Sequence, residues 1–221
     1  MDLETIEVET GAKPEAAVIW LHGLGADAHD FEPVVPALSL GPECAVRYVF
    51  PNAPMRPVTI NGGVSMRAWF DLLGLDREAP EDEPGIRDSA AAVECLIDRE
   101  SGRGIEAKRI LLAGFSQGGA IALFTALRCA HALAGVIALS SYLPLPDIVE
   151  REQNQANAKL PIFMAHGLFD DMIDITFAQN SRNRLLDLGY RVDWKKYPMP
   201  HSVVIEELAD IRTFLSTVLQ K

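Results

Sequence analysis

Short apolar runs that alternate with amphipathic stretches along the whole chain predict an α/β fold, a mostly parallel sheet with helices on both faces. Two further observations point the same way. The 221 residues are 48% apolar, enough to bury one sheet, and no composition shift, linker or internal repeat divides residues 1–221, so a single domain is expected. The glycine-flanked serine in Gly114-Phe115-Ser116-Gln117-Gly118 stands between an apolar run and a helix-forming one. A strand that turns sharply into a helix would need those glycines.

In chain order, residues 5–9 alternate in polarity and read as an edge strand, and the apolar runs 17–21 and 46–50 read as buried strands. A helix is expected between them at 31–38. Residues 51–83 are irregular, rich in Pro and Gly, and end in an acidic run, 78–83, that reads as a solvated turn. The helix at 86–100 carries Ala90, Val93, Leu96 and Ile97 at helical spacing, a stripe that faces a core. Strand 109–113, helix 118–127 and strand 136–139 follow. Residues 140–160 form a second irregular stretch, and strand 162–165, helix 177–188, strand 191–197 and helix 205–219 complete the chain. No segment reads as a large cap domain.

Composition excludes several classes. A formal charge of −11 argues against nucleic acid and anionic membrane surfaces as partners. No apolar stretch approaches the roughly 18 residues that cross a bilayer, so stable membrane insertion is not expected. The first residues lack the basic and apolar segments of a signal peptide, and a cytoplasmic enzyme is expected. Cys44, Cys95 and Cys129 are widely spaced and read as buried reduced thiols, with no metal site.

The serine motif supplies the chemistry. A G-x-S-x-G between strand and helix is the turn that lifts a nucleophile above the sheet of an α/β-hydrolase, which makes Ser116 the expected nucleophile. A serine hydroxyl needs a base. In this fold the chain order is serine, acid, histidine, which excludes His22 and His29. His131 falls at the far end of the helix behind the serine, and His166 would have only Asp147, in a loop, as an intervening aspartate. His201 follows the last strand, at the sheet edge where catalytic groups gather. The acid is expected on the loop after His166-Gly167, where position favours Asp170 over Asp171 and Asp174 lies one turn on. One oxyanion donor is the N–H of Gln117, and the other comes from the loop His22-Gly23-Leu24-Gly25. His22 itself reads as a structural hydrogen-bonding residue.

These segments resemble the carboxylesterase and acyl-protein thioesterase family, small serine esterases that include lysophospholipase-like enzymes. The matching segments are Leu21-His22-Gly23-Leu24-Gly25-Ala26, Asn52-Ala53-Pro54, Met66-Arg67-Ala68-Trp69-Phe70-Asp71, Gly114-Phe115-Ser116-Gln117-Gly118-Gly119-Ala120, Leu133–Ser140, His166-Gly167-Leu168-Phe169-Asp170 and the setting of His201. The resemblance implies Ser116, Asp170 and His201 as triad, Leu24 and Gln117 as oxyanion donors, and no cofactor or metal. One departure is Asp171-Met172-Ile173-Asp174, where the family carries proline and Val-Pro, so Asp171 stays as an alternative acid. The expected substrate is a small acyl ester or thioester of short to medium chain, with acyl-protein thioesters and lysophospholipids as alternatives. Leu72 and Leu75, with Trp69 before them, are the candidate acyl-binding residues; packing of that loop on the core explains the two leucines equally well. A homodimer is the assembly left open. A non-catalytic binding protein on this fold would lack part of this constellation, and a lactone hydrolase would carry cysteine at position 116.

Overall fold

A computed structural model describes residues 2–74 and 79–219. Its strands are β1 (Thr5–Glu9), β2 (Ala16–Leu21), β3 (Val46–Pro51), β4 (Met55–Val58), β5 (Val64–Arg67), β6 (Ile110–Phe115), β7 (Gly135–Leu139), β8 (Ile162–Gly167) and β9 (Val192–Tyr197). Its α-helices are α1 (Glu83–Gly102), α2 (Gln117–Arg128), α3 (Val149–Glu152), α4 (Ile175–Asp187) and α5 (Ile205–Leu219). Seven strands form one sheet in the order β1-β3-β2-β6-β7-β8-β9, and β4 and β5 pair separately as a hairpin. Only β1 runs antiparallel, against β3 at the edge; the other neighbours are parallel.

The central strands are apolar along their whole length because both faces are covered. Period-two geometry sends Ile19, Leu112, Val136 and Met164 to one face, against Ile86, Val93 and Ile97 of α1, Ile121 and Phe124 of α2, and Leu185 of α4. Trp20, Leu111, Ile137 and Phe163 go to the other face, against Phe31, Val35 and Leu38 and against Ile211, Phe214 and Leu215 of α5. The two layers hold the carboxyl ends of β2, β6, β8 and β9 at one edge of the sheet.

Several expectations change in the folded chain. The helix expected at 31–38 is a 3-10 helix, Glu32–Leu38. Pro36 inside it has no N–H to donate, and its ring blocks the α-helical carbonyl partner. The irregular stretch 51–83 contains the β4–β5 hairpin, whose strands lack a clean alternation of polarity. It turns through Gly62 and Gly63 at φ 67° and 77°, a region open to glycine. The acidic run is a solvated turn only in part: Glu78 lies outside the described residues and Glu83 is exposed, but Glu81 and Asp82 are engaged by the fold. Asp82 caps α1 through Gly85 N–H at 3.0 Å and accepts from Asp71 N–H at 2.8 Å. Glu81 accepts from Leu145 N–H at 2.9 Å, and burial raises its pKa. Asp82 thus ties the first irregular stretch to α1, and Glu81 ties it to the second. Cys44 and Cys129 are buried free thiols, whereas Cys95 is exposed on the outer face of α1.

Candidate active site

The serine turn is built from backbone contacts that leave no room for side chains. A Cβ on Gly114 would lie 2.3 Å from the Gly118 carbonyl carbon, and one on Gly118 would lie 2.3 Å from the Leu21 carbonyl oxygen. Both obstacles are main chain and cannot move aside. Ser116 itself has φ 55° and ψ −123° at the N-cap of α2, a conformation that costs on the order of 1–3 kcal/mol for a residue with a Cβ. Three hydrogen bonds hold it there. Ser116 N–H donates to Leu139 O at 2.8 Å, and its carbonyl accepts from Ser141 Oγ at 2.7 Å and Ala120 N–H at 3.2 Å.

The loop after β2 passes directly over this turn. A Cβ on Gly23 would be 3.3 Å from the Phe115 ring and 3.5 Å from Ser116 Cβ, so only a residue without a side chain sits there comfortably. His22 is buried and braces the loop: Ala53 N–H donates to its Nε2 at 3.0 Å, which leaves Nδ1–H to donate to Gly23 O at 2.7 Å. Burial lowers its pKa, so the ring stays neutral in that one tautomer. The segment after β5 staples both loops. Gly25 N–H donates to Arg67 O at 2.9 Å, and the Trp69 indole N–H donates to His22 O at 2.9 Å. The Gln117 side chain accepts from Trp69 N–H at 2.8 Å and donates to Phe70 O at 2.7 Å. Two main-chain donors remain at the turn. Gln117 N–H opens α2, where helix geometry supplies no acceptor. Leu24 N–H meets no acceptor among the described residues.

The carboxylate and imidazole come from the loops after β8 and β9. Asp170 Oδ1 accepts from Met172 N–H at 3.0 Å and Ile173 N–H at 2.8 Å. Its Oδ2 lies 2.7 Å from His201 Nδ1, and its side chain is 0% exposed. Burial disfavours the anion, but the hydrogen bonds from His201, Ile173 and Met172 outweigh it and lower the pKa. Asp171 is exposed, and Asp174 caps α4 through Thr176 N–H at 2.8 Å. The carboxylate that meets His201 is therefore Asp170. A Cβ on Gly167 would stand 2.4 Å from Met199 O, and Leu168 and Phe169 donate backbone N–H to Tyr197 O and Met199 O at 2.8 and 3.1 Å. That contact lays the acid loop against the base loop. The His201 ring packs at 4.7 Å between centroids on Phe115, the residue that precedes Ser116.

The remaining expected residues fall elsewhere. His131 is exposed and bonds to Asp98, while His166 lies at the acid loop, 3.3 Å from Asp170 Oδ2. Trp69, expected at an acyl groove, is 0% exposed: its indole N–H, backbone N–H and carbonyl are all taken, the last by Ser89 Oγ. It braces the turn from beneath and offers a ligand no surface. Leu72 is half-buried against the core, and Leu75 lies outside the described residues. The supporting role of Trp69 and Gln117 was not legible from the chain, because each acts through a partner roughly 50 positions away.

A parallel sheet with a strained serine at the β6–α2 turn and an aspartate–histidine pair on later loops defines an α/β-hydrolase-fold serine hydrolase, and no large cap stands over it among the described residues. Residues 3–219 match the family model described as Phospholipase/Carboxylesterase, and the chain belongs to that family. Acyl-protein thioesterase 1 of Mycosarcoma maydis is 38% identical over 97% of this chain and 95% of its own length. Its namesake from Neurospora crassa is 39% identical over 95% of this chain and 89% of its own. Among solved structures, acyl-protein thioesterase 2 of Zea mays superposes with a TM-score of 0.87 at 30% identity, covering 98% of this chain and 99% of that one. The protein is an enzyme that hydrolyses carboxylic esters. No helix among the described residues is long and apolar enough to cross a membrane.

Proposed function

We propose that Ser116 is the nucleophile, His201 the general base and Asp170 the residue that orients it, with Leu24 and Gln117 N–H as the oxyanion donors. The observation that carries this reading is the 2.7 Å contact between Asp170 and His201 Nδ1, made beside a serine held at φ 55°. With Nδ1–H committed to the carboxylate, Nε2 is the basic nitrogen. It takes the Ser116 proton as Oγ attacks the acyl carbon, then protonates the departing alcohol or thiol. Water repeats the cycle on the acyl-enzyme and releases the acid. Two backbone donors aimed at the tetrahedral oxyanion are worth about 3 kcal/mol each. The reading is tested by a fluorophosphonate probe: the adduct is expected on Ser116, and an adduct on another serine overturns it.

The substrate is an acyl ester or thioester of short to medium chain. Two observations support this choice. Leu168, Phe169 and Met172 are 46%, 67% and 61% exposed around Asp170, an apolar rim on which an acyl chain can rest. Each methylene that leaves water there contributes about 0.8 kcal/mol at most, so preference should rise with length and then level off. The site also has no large cover among the described residues, so the leaving group is free to be bulky. The fungal and plant relatives are named as acyl-protein thioesterases, and an S-acylated cysteine on a protein fits an open site of this kind. Rates on butyrate-to-octanoate esters and on one S-acyl peptide test it. Hydrolysis confined to emulsified long-chain triacylglycerols would contradict it.

A further inference from the structure

His166, the last but one residue of β8, has a side chain that is 0% exposed. Its Nε2 lies 2.8 Å from Ile173 O and 3.3 Å from Asp170 Oδ2. Both neighbours are acceptors, so Nε2 must carry the proton. Burial lowers the pKa of the ring, against the pull of the Ile173 carbonyl and of Asp170, and the imidazole is a neutral donor. The titratable groups that face it are Asp170 and Asp174 on the acid loop and His201 from the loop after β9.

Two imidazoles thus converge on one carboxylate oxygen, His201 at 2.7 Å and His166 at 3.3 Å. The other oxygen takes two backbone N–H groups, from Met172 and Ile173. Those two and His201 are the three hydrogen-bond donors of Asp170, and His166 Nε2, whose own hydrogen bond runs to Ile173 O, stands against Oδ2 as a polar contact. The group cannot swing about its last bond without breaking several of these contacts together. The His166 Nε2–H donates to Ile173 O and closes the turn from which Asp170 projects.

We propose that His166 is a positioning residue for the hydrolytic reaction: its Nε2–H fastens Ile173 O, and with it the turn whose N–H groups hold Asp170 Oδ1, while standing 3.3 Å from Oδ2, so that the carboxylate meets His201 Nδ1 in one orientation and with reduced basicity. The proposal rests on the reading of Ser116, His201 and Asp170 as the reacting set. The partial positive charge of that N–H, 3.3 Å from Oδ2, stabilises the carboxylate and weakens its hold on the imidazolium of His201. Without that donor the imidazolium is over-stabilised, and the base stays protonated to higher pH.

Three variants test it in the full-length chain with a butyrate ester. His166→Leu removes the donor, His166→Asn moves an amide nitrogen back to the position of Nδ1, and His166→Gln returns an N–H near the position of Nε2. His166→Leu and His166→Asn are expected to lose about 10- to 100-fold in kcat with KM unchanged. The acid limb of kcat/KM should move up by about half a pH unit, and His166→Gln should restore both. If His166→Leu does not fold, the comparison of Asn with Gln carries the test. Wild-type kcat and acid limb in His166→Leu or His166→Asn overturn the proposal, as does a lower melting temperature with kcat intact. Ser116→Ala and His201→Ala run beside them: activity in either overturns the underlying reading, whereas two dead controls beside a wild-type His166→Leu overturn this proposal alone.

Discussion

Replacing Glu207 by glutamine isolates a carboxylate that the fold keeps protonated at neutral pH. Glu207 lies in the first turn of α5, six residues after His201, and is 0% exposed. Neither of its oxygens has a hydrogen-bond partner of good geometry among the described residues. Burial pushes its pKa from 4.5 up to about 8; the nearby Val204 N–H opposes the shift, and the charge of Asp210 adds to it. Tyr197 on β9 also faces this group and donates to Asp210 Oδ2 at 2.7 Å. The folded state holds this proton more tightly than the unfolded chain. The associated stability is therefore complete below about pH 4.5, falls as pH rises, and has been lost once pH passes about 8. At up to about 1.4 kcal/mol per unit, less where either state is part-titrated, the wild-type protein should lose about 3.5 kcal/mol between about pH 5 and about pH 8 through this group. The glutamine variant, which cannot ionise, should not share that loss, whatever its own baseline. Urea unfolding followed by circular dichroism across that range measures it. A difference between wild type and variant that stays constant with pH refutes the reasoning, since Glu207 would then ionise equally in both states.

The remaining predictions concern the site and its supports. Ser116→Ala should cost on the order of a million-fold in turnover with the fold intact, checked by steady-state kinetics. Asp170→Asn should cost up to about ten-thousand-fold by spoiling the imidazole tautomer, with Asp171→Asn mild; the reverse order would move the acid by one position. Gly118→Ala drives a Cβ to 2.3 Å from Leu21 O and should destabilise by about 3 kcal/mol in denaturant titration, and a wild-type midpoint would show that the turn is looser than drawn. Trp69→Phe leaves the buried His22 carbonyl without its donor and should cost about 1–3 kcal/mol of stability. It should also lower kcat equally for butyrate and octanoate esters; a KM rise confined to the longer ester would make Trp69 part of the acyl surface.

Sequence alone determined what depends on local backbone. Apolar runs of strand length beside helix-forming ones announce the layered sheet, since burial on both faces demands them. Gly114, Ser116 and Gly118 announce a sharp turn, because the atoms that exclude a side chain there are main chain. The order of serine, acid loop and histidine followed from the same local signals. Tertiary structure decided whatever depends on residues distant in the chain. Asp170, Asp171 and Asp174 are alike in chemistry; position and the resemblance favoured Asp170, and the approach of the loop after β9 is what brings that carboxylate to His201, 31 residues on. Trp69 and Leu72 read alike as apolar loop residues, until the hydrogen bonds of Trp69 to His22 and Gln117 bury it. The acidic run reads as solvated because charges seek water, yet Glu81 and Asp82 accept backbone N–H groups of loops that folding brings to them. His166 and Glu207 show the same limit most plainly. A residue's place in the chain names its chemistry, but burial and the neighbours that come with it decide which protonation state it holds.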